Sequence, residues 1–137
     1  MAGDFAKITP FLMFDGNAEE AMASYTSLFE DSEILVITRY GADGAGAEGT
    51  VELAVFTLNG QRFMCIDSSV KHDFTFTAAL SLYVTCDSGD EIERLFENLS
   101  QGGEVAMRLA PYPFSARFGW VNDKYGVSWQ LNLAEKH

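Results

Sequence analysis

Two stretches of the sequence alternate hydroxyl or amide side chains with apolar ones. Ser81, Tyr83 and Thr85 alternate with Leu80, Leu82, Val84 and Cys86, and Ser128, Gln130 and Asn132 alternate with Val127, Trp129, Leu131 and Leu133. Successive side chains of a strand point to opposite faces, so each stretch offers one polar and one apolar face. Neutral hydroxyls and amides on one face can orient a small molecule by hydrogen bonds without charge. The plainer alternative is that they merely face water.

Other groups that could do chemistry are weaker. Gly44-Ala45-Gly46-Ala47-Glu48-Gly49 fits the G-x-G-x-x-G pattern, with Asp67 lying 18 residues past Gly49. A dinucleotide site needs a helix to start at those glycines, so that its N-terminal amides meet the pyrophosphate. Residues 50–58 alternate like a strand instead, which makes the segment a flexible loop between strands. The same absence of a Rossmann-type strand-to-helix unit argues against an S-adenosylmethionine-dependent methyltransferase. His72 beside Asp73 could form an acid–base pair, but neighbours in an extended loop point apart, and a surface histidine is the better reading. Cys65 and Cys86 sit in apolar runs without basic neighbours, as buried, reduced and inert thiols do. Glu19, Glu20, Asp90 and Glu91 fall in first helical turns, where they complement the helix dipole. No residue stands out as catalytic.

The 137 residues carry 20 acidic and 9 basic side chains, a formal charge of −11 that disfavours nucleic acid and anionic membrane as partners. Hydrophobic residues make up 47%, and eleven Phe, five Tyr and two Trp can fill a core. Apolar runs such as Pro10-Phe11-Leu12-Met13-Phe14 are too short to span a bilayer. Met1-Ala2-Gly3-Asp4-Phe5 lacks the basic-then-apolar pattern of a secretory signal, and with the reduced thiols this leads us to expect a cytoplasmic protein.

The elements that must position the polar faces follow from periodicity. Residues 7–14 read as a strand ending at Asp15-Gly16. Asn17 with Glu20 is an amide variant of the capping box, followed by a helix over 18–29 with Ala21, Met22, Tyr25, Leu28 and Phe29 at helical spacing. Strands follow at 34–40, 51–56 and 61–67, the last two joined by an Asn59-Gly60 hairpin turn. The order then repeats. A strand over 80–86 precedes a Ser88/Glu91 capping box and a helix carrying Ile92, Leu95, Phe96 and Leu99, which stops near Gly102-Gly103. Residues 105–109 read as a strand, 110–116 with Pro111 and Pro113 as a loop, and 117–122 and 127–133 as a hairpin closed by 123–126. The expectation is one domain over 1–137 made of two βαβββ modules, about 1–70 and 78–137, joined by 68–77.

Particular motifs sit on this frame. They are Pro10-Phe11-Leu12, then Phe14-Asp15-Gly16-Asn17-Ala18-Glu19-Glu20-Ala21 and Tyr25, then Ser81-Leu82-Tyr83-Val84. The most specific is Gly119-Trp120-Val121-Asn122-Asp123-Lys124-Tyr125-Gly126-Val127-Ser128-Trp129-Gln130. On these motifs the chain, over residues 7–133, resembles the PhnB-like branch of the vicinal oxygen chelate superfamily, which includes glyoxalase I, bleomycin-resistance proteins and extradiol dioxygenases. Members of the branch often carry a 3-demethylubiquinone methyltransferase label. One departure is Phe118, where many members have Cys, so a role needing that thiol is absent here.

The resemblance implies an α+β fold in which two βαβββ modules form a curled, mostly antiparallel, cup-shaped sheet with helices outside. It also implies a homodimer, to which the aromatic content and the many short strand edges add support. Superfamily metalloenzymes hold a divalent ion in the cup through His, Gln or Glu. Those positions fall here at Pro10, Met64, Ser81 and Gln130, of which only Gln130 is a reasonable ligand. No metal and no cofactor are therefore expected. The cup would place the polar faces toward a ligand, with Gln130, Ser128, Asn132, Ser81 and Tyr83 as binding candidates and Phe14, Tyr83 and Trp120 as aromatic walls; Trp120 is placed by the resemblance alone. A metal-free small-molecule binding protein is the leading reading. The alternatives are an enzyme using Gln130, Tyr83 or Ser81, and a non-catalytic dimeric interaction module.

Overall fold

Alternation and capping produce ten elements in a computed structural model that describes residues 7–135. Met1–Phe5 and His137, the first of which bore on the reading of a secretory signal, lie outside the described residues. The chain forms two compact units that part between Asp73 and Phe74.

In the first unit, β1 (Phe11–Phe14) is followed by α1 (Ala18–Leu28), β2 (Glu33–Arg39), β3 (Val51–Leu58) and β4 (Gln61–Asp67). The sheet order is β1-β4-β3-β2, with β1 parallel to β4 and the other pairs antiparallel. Helix α1 buries Ala18, Ala21, Met22, Tyr25 and Leu28, the face set by its apolar spacing. Asn59 and Gly60 both take positive φ, as a tight type I′ hairpin requires, and β3 returns directly as β4. On β3 the buried residues are Val51, then Ala54, Phe56 and Leu58. The alternation changes phase because the register against β2 shifts between Thr38 and Arg39.

Three local expectations need correction here. Residues 7–10 do not continue the strand; β1 starts at Phe11, after a proline that has no N–H to give to a ladder. Asn17 makes no side-chain cap, although it occupies the N-cap position. Asp67 does that work from the far end of β4: Oδ1 accepts from Gly16 N at 2.8 Å and Ala18 N at 2.9 Å. The 41–49 segment is a pinned loop. Tyr40 N donates to Thr50 O and Gly49 N to Tyr40 O, and the Tyr40 hydroxyl reaches Asp67 O at 3.1 Å. Gly46 lies against the Tyr40 ring so closely that a Cβ there would come within 2.4 Å of it, which is why that position is glycine.

The second unit repeats the plan with β5 (Ser81–Cys86), α2 (Gly89–Ser100), β6 (Glu104–Tyr112), β7 (Ser115–Asn122) and β8 (Ser128–Leu133). Its sheet order is β5-β8-β7-β6, with β5 parallel to β8. The architecture is thus α+β, two similar modules, each an open four-stranded mixed sheet with one helix. Ser88 caps α2 as expected, accepting from Glu91 N at 3.1 Å, while Glu91 reaches back to Asp87 N at 2.7 Å. Helix α2 buries Ile92, Leu95 and Leu99. The expected loop over 110–116 is instead strand up to Tyr112, a tight turn, and strand again from Ser115. Pro111 is tolerated because β6 is the sheet edge, where a missing N–H breaks no ladder on the outer side.

Candidate functional site

Register decides which polar side chains meet. The parallel β5–β8 pairing sets Ser81 against Ser128, Tyr83 against Gln130 and Thr85 against Asn132. The antiparallel β7–β8 pairing adds Asn122 opposite Ser128, Trp120 opposite Gln130 and Phe118 opposite Asn132. Residues paired across strands share a face, so one side of the β5-β8-β7 surface collects all of them. The opposite side carries Trp129 and Leu131, fully buried on the strand that packs against α2.

Four of the sequence-predicted residues form one hydrogen-bonded network. The Trp120 indole donates Nε1–H to Ser128 Oγ at 2.8 Å, and Ser128 Oγ lies 2.6 Å from Ser81 Oγ. Gln130 donates Nε2–H to Ser81 Oγ at 3.3 Å. Ser128 is buried, whereas Ser81, Trp120 and Gln130 are partly open and Tyr83 is 58% exposed. Asn132 belongs to the same face but is held apart from the network by the Ser115 hydroxyl, which donates to its Oδ1. Phe14 lies in the first unit and is buried there with Leu12, because period-two alternation puts it on the buried side of β1.

The aromatic residues that periodicity did not single out are at the β6–β7 turn. Phe114 stacks on Tyr112 with centroids 5.7 Å apart, and Phe118 meets Phe114 edge-on at 5.0 Å and Tyr112 at 6.1 Å. Phe118 shares the face of Asn132. The signal available in the sequence was the Tyr112-x-Phe114-x-x-x-Phe118 spacing, hidden because 110–116 read as loop. A cleft of about 420 Å³ lies elsewhere in the second unit, at the start of α2, bordered by Ser88, Gly89, Ala116, Leu133, Ala134 and Glu135. It contains none of the predicted site residues.

Nucleophile and metal chemistry find little support in this arrangement. Burial pushes both Cys65 and Cys86 up to about 12, with nearby Asp67 adding to the effect on Cys65 and Glu91 to that on Cys86. At neutral pH these thiols stay protonated and weakly reactive. Of the four superfamily ligand positions, Ser81 and Gln130 touch each other, while Pro10 offers its backbone carbonyl to Met64 N at 3.0 Å. A hydroxyl, an amide, a thioether and a proline do not fit a divalent ion. Among the described residues no cluster of three His, Cys, Asp or Glu is placed to hold one.

The specific stretch 119–130 divides into two roles. Trp120, Ser128 and Gln130 build the polar face. Asp123 instead organises the turn: its Oδ1 accepts from Tyr125 N and Val127 N, and its Oδ2 from Trp129 Nε1 at 2.9 Å. The sequence model described as 3-demethylubiquinone-9 3-methyltransferase matches residues 6–132. A PhnB protein from Bacillus cereus is similar at 64% identity and a TM-score of 0.93, over 94% of this chain and all of that one. Protein YjdN of Escherichia coli strain K12 is 24% identical over 143 residues, which covers 94% of this chain and 96% of YjdN. The fosfomycin resistance protein FosX of Listeria monocytogenes shares the fold at 11% identity, with a TM-score of 0.65 over 96% of this chain and 94% of that one. With its family match running nearly end to end, the chain belongs to the PhnB-like family and has the fold of the glyoxalase and bleomycin-resistance proteins of the vicinal oxygen chelate superfamily.

Proposed function

We propose that this chain is a metal-free small-molecule binding protein whose ligand lies on the polar face of the second unit's sheet and contacts Gln130. The observation that carries this reading is the Trp120–Ser128–Ser81–Gln130 network, four neutral side chains from three strands tied together on one face. Held side chains lose little entropy when a ligand arrives, so such a network suits recognition. Partly apolar ligands with hydrogen-bonding groups fit it best, with Tyr83 and Trp120 supplying flat contact area. Replacing Gln130 by leucine removes the amide while roughly keeping the side chain's size. Its expected effect is a loss of about 1–3 kcal/mol in binding, which is roughly 5- to 150-fold in affinity. Thermal-shift screening of metabolites followed by titration of wild type and Gln130→Leu measures it. Equal affinity in both proteins would remove Gln130 from the site.

The same reading includes a cytoplasmic homodimer. Two free, buried thiols support the setting. Exposed Leu35 and Val36 on edge strand β2, and Val105 on edge strand β6, support association. No described helix is long and apolar enough to cross a membrane. Light scattering at micromolar concentration is expected to give twice the mass of one chain; a monomer mass refutes the dimer.

A further inference from the structure

The direction of the hydrogens in the polar network limits the chemistry of the ligand, an inference that rests on the binding reading above. An indole N–H only donates, so Ser128 Oγ must accept from Trp120. Ser128 is 1% exposed, and its own proton needs an acceptor. Among the described residues that acceptor is Ser81 Oγ, at 2.6 Å. Ser81 Oγ then receives two hydrogens, one from Ser128 and one from Gln130 Nε2 at 3.3 Å. With both lone pairs engaged, the Ser81 hydroxyl has its own proton left to give away. Gln130, having turned one Nε2–H toward Ser81, keeps its second N–H and has Oε1 as an acceptor that no donor among the described residues meets. Asn122, opposite Ser128 on the same face, likewise has a buried Oδ1 that no donor among the described residues reaches. Two acceptors of this face, Gln130 Oε1 and Asn122 Oδ1, are therefore unmet by any donor among the described residues.

We infer that the site selects a neutral ligand with an N–H or O–H donor adjacent to a carbonyl-type acceptor, the edge of a lactam, primary amide or hydroxy-carbonyl compound. The donor meets Gln130 Oε1 and the acceptor meets the Ser81 hydroxyl. Carboxylates are disfavoured twice: they bring no donor for Gln130 Oε1 or Asn122 Oδ1, and they approach a chain of charge −11.

The matched probes are α-pyridone, which has the N–H beside the C=O, and its N-methyl derivative, which keeps the ring and carbonyl and lacks the donor. Titrations are followed by protein NMR through the Trp120 indole N–H and the Gln130 side-chain amide. The pyridone is expected to bind at least about tenfold more tightly than the N-methyl compound, a difference of one uncompensated hydrogen bond. That preference should vanish in Gln130→Leu and shrink in Ser81→Ala, a smaller change that preserves the fold if the leucine variant does not. Equal binding of the two probes, with shifts still at Trp120 and Gln130, overturns the donor–acceptor assignment and leaves the site standing. Failure of pyridone to bind at millimolar concentration also overturns it, while the site itself is judged by whether screening hits weaken in Gln130→Leu. Shifts confined to residues off this face overturn both.

Discussion

Asp67→Ala is expected to be the most damaging single substitution in the first unit, lowering unfolding free energy by at least about 3–5 kcal/mol. The carboxylate is 1% exposed and joins three segments distant in sequence. Its Oδ1 accepts from Gly16 N and Ala18 N at the start of α1, and its Oδ2 from Val51 N at the start of β3, at 2.8–2.9 Å. Hydrogen bonds to a charged acceptor are each worth about 1.5–3 kcal/mol, and a buried N–H left without a partner costs its desolvation. A negative group at the first turn of α1 also meets the positive end of the helix dipole. Against a total stability of about 5–15 kcal/mol, the loss is large enough to unfold the protein at moderate temperature. Asp67→Asn should fall between alanine and wild type, because its carbonyl can still serve α1 while its NH₂ faces the Val51 N–H, donor against donor. Urea unfolding followed by circular dichroism checks both. A loss below about 1 kcal/mol in the alanine variant would show that water replaces the carboxylate.

Trp129→Ala should cost about 3–5 kcal/mol, the usual range for removing a large buried aromatic residue. Trp129 is 1% exposed on the helix-facing side of β8, and its indole N–H donates to Asp123 Oδ2 at 2.9 Å. The same carboxylate holds Tyr125 N and Val127 N, so the substitution leaves a cavity and also loosens the turn between β7 and β8. Trp129→Phe separates the two effects. It retains most of the packing and removes only the donor, and a cost of about 1–3 kcal/mol is expected. Because Ser128 and Gln130 flank Trp129, the alanine variant should also weaken ligand binding, whereas the phenylalanine variant should largely keep it. Denaturant titration and the ligand titration of wild type and both variants provide the measurement. Similar stability of the two variants would mean that packing contributes little at this position.

Local sequence was sufficient wherever the deciding interaction is local. The spacing of Ile92, Leu95 and Leu99 sets the buried face of α2, Ser88 and Glu91 lie within one turn, and Asn59-Gly60 has the two positive φ values of its hairpin. Alternation along β5 and β8 likewise separated Ser81, Ser128 and Gln130 from Trp129 and Leu131, because side-chain direction in a strand has a period of two. Periodicity tells which residues share a face of one strand. It does not tell which strand lies alongside, or at what register. Ser81 meets Ser128 across 47 positions of chain, and Asp67 caps a helix 49 positions before it. Asn17, the locally favoured cap, therefore yielded to a carboxylate that only the parallel β1–β4 pairing brings within reach. Pro111 reads as a strand breaker until the sheet order puts β6 at the edge, where its missing N–H costs nothing. Phe14 follows the same rule: period-two alternation on β1 sets it beside Leu12 on the buried side of the strand. Residue types and periods determined the elements and their faces, while long-range pairing determined which of those faces joined into a site, since only the folded sheet brings distant donors and acceptors within hydrogen-bonding reach of one another.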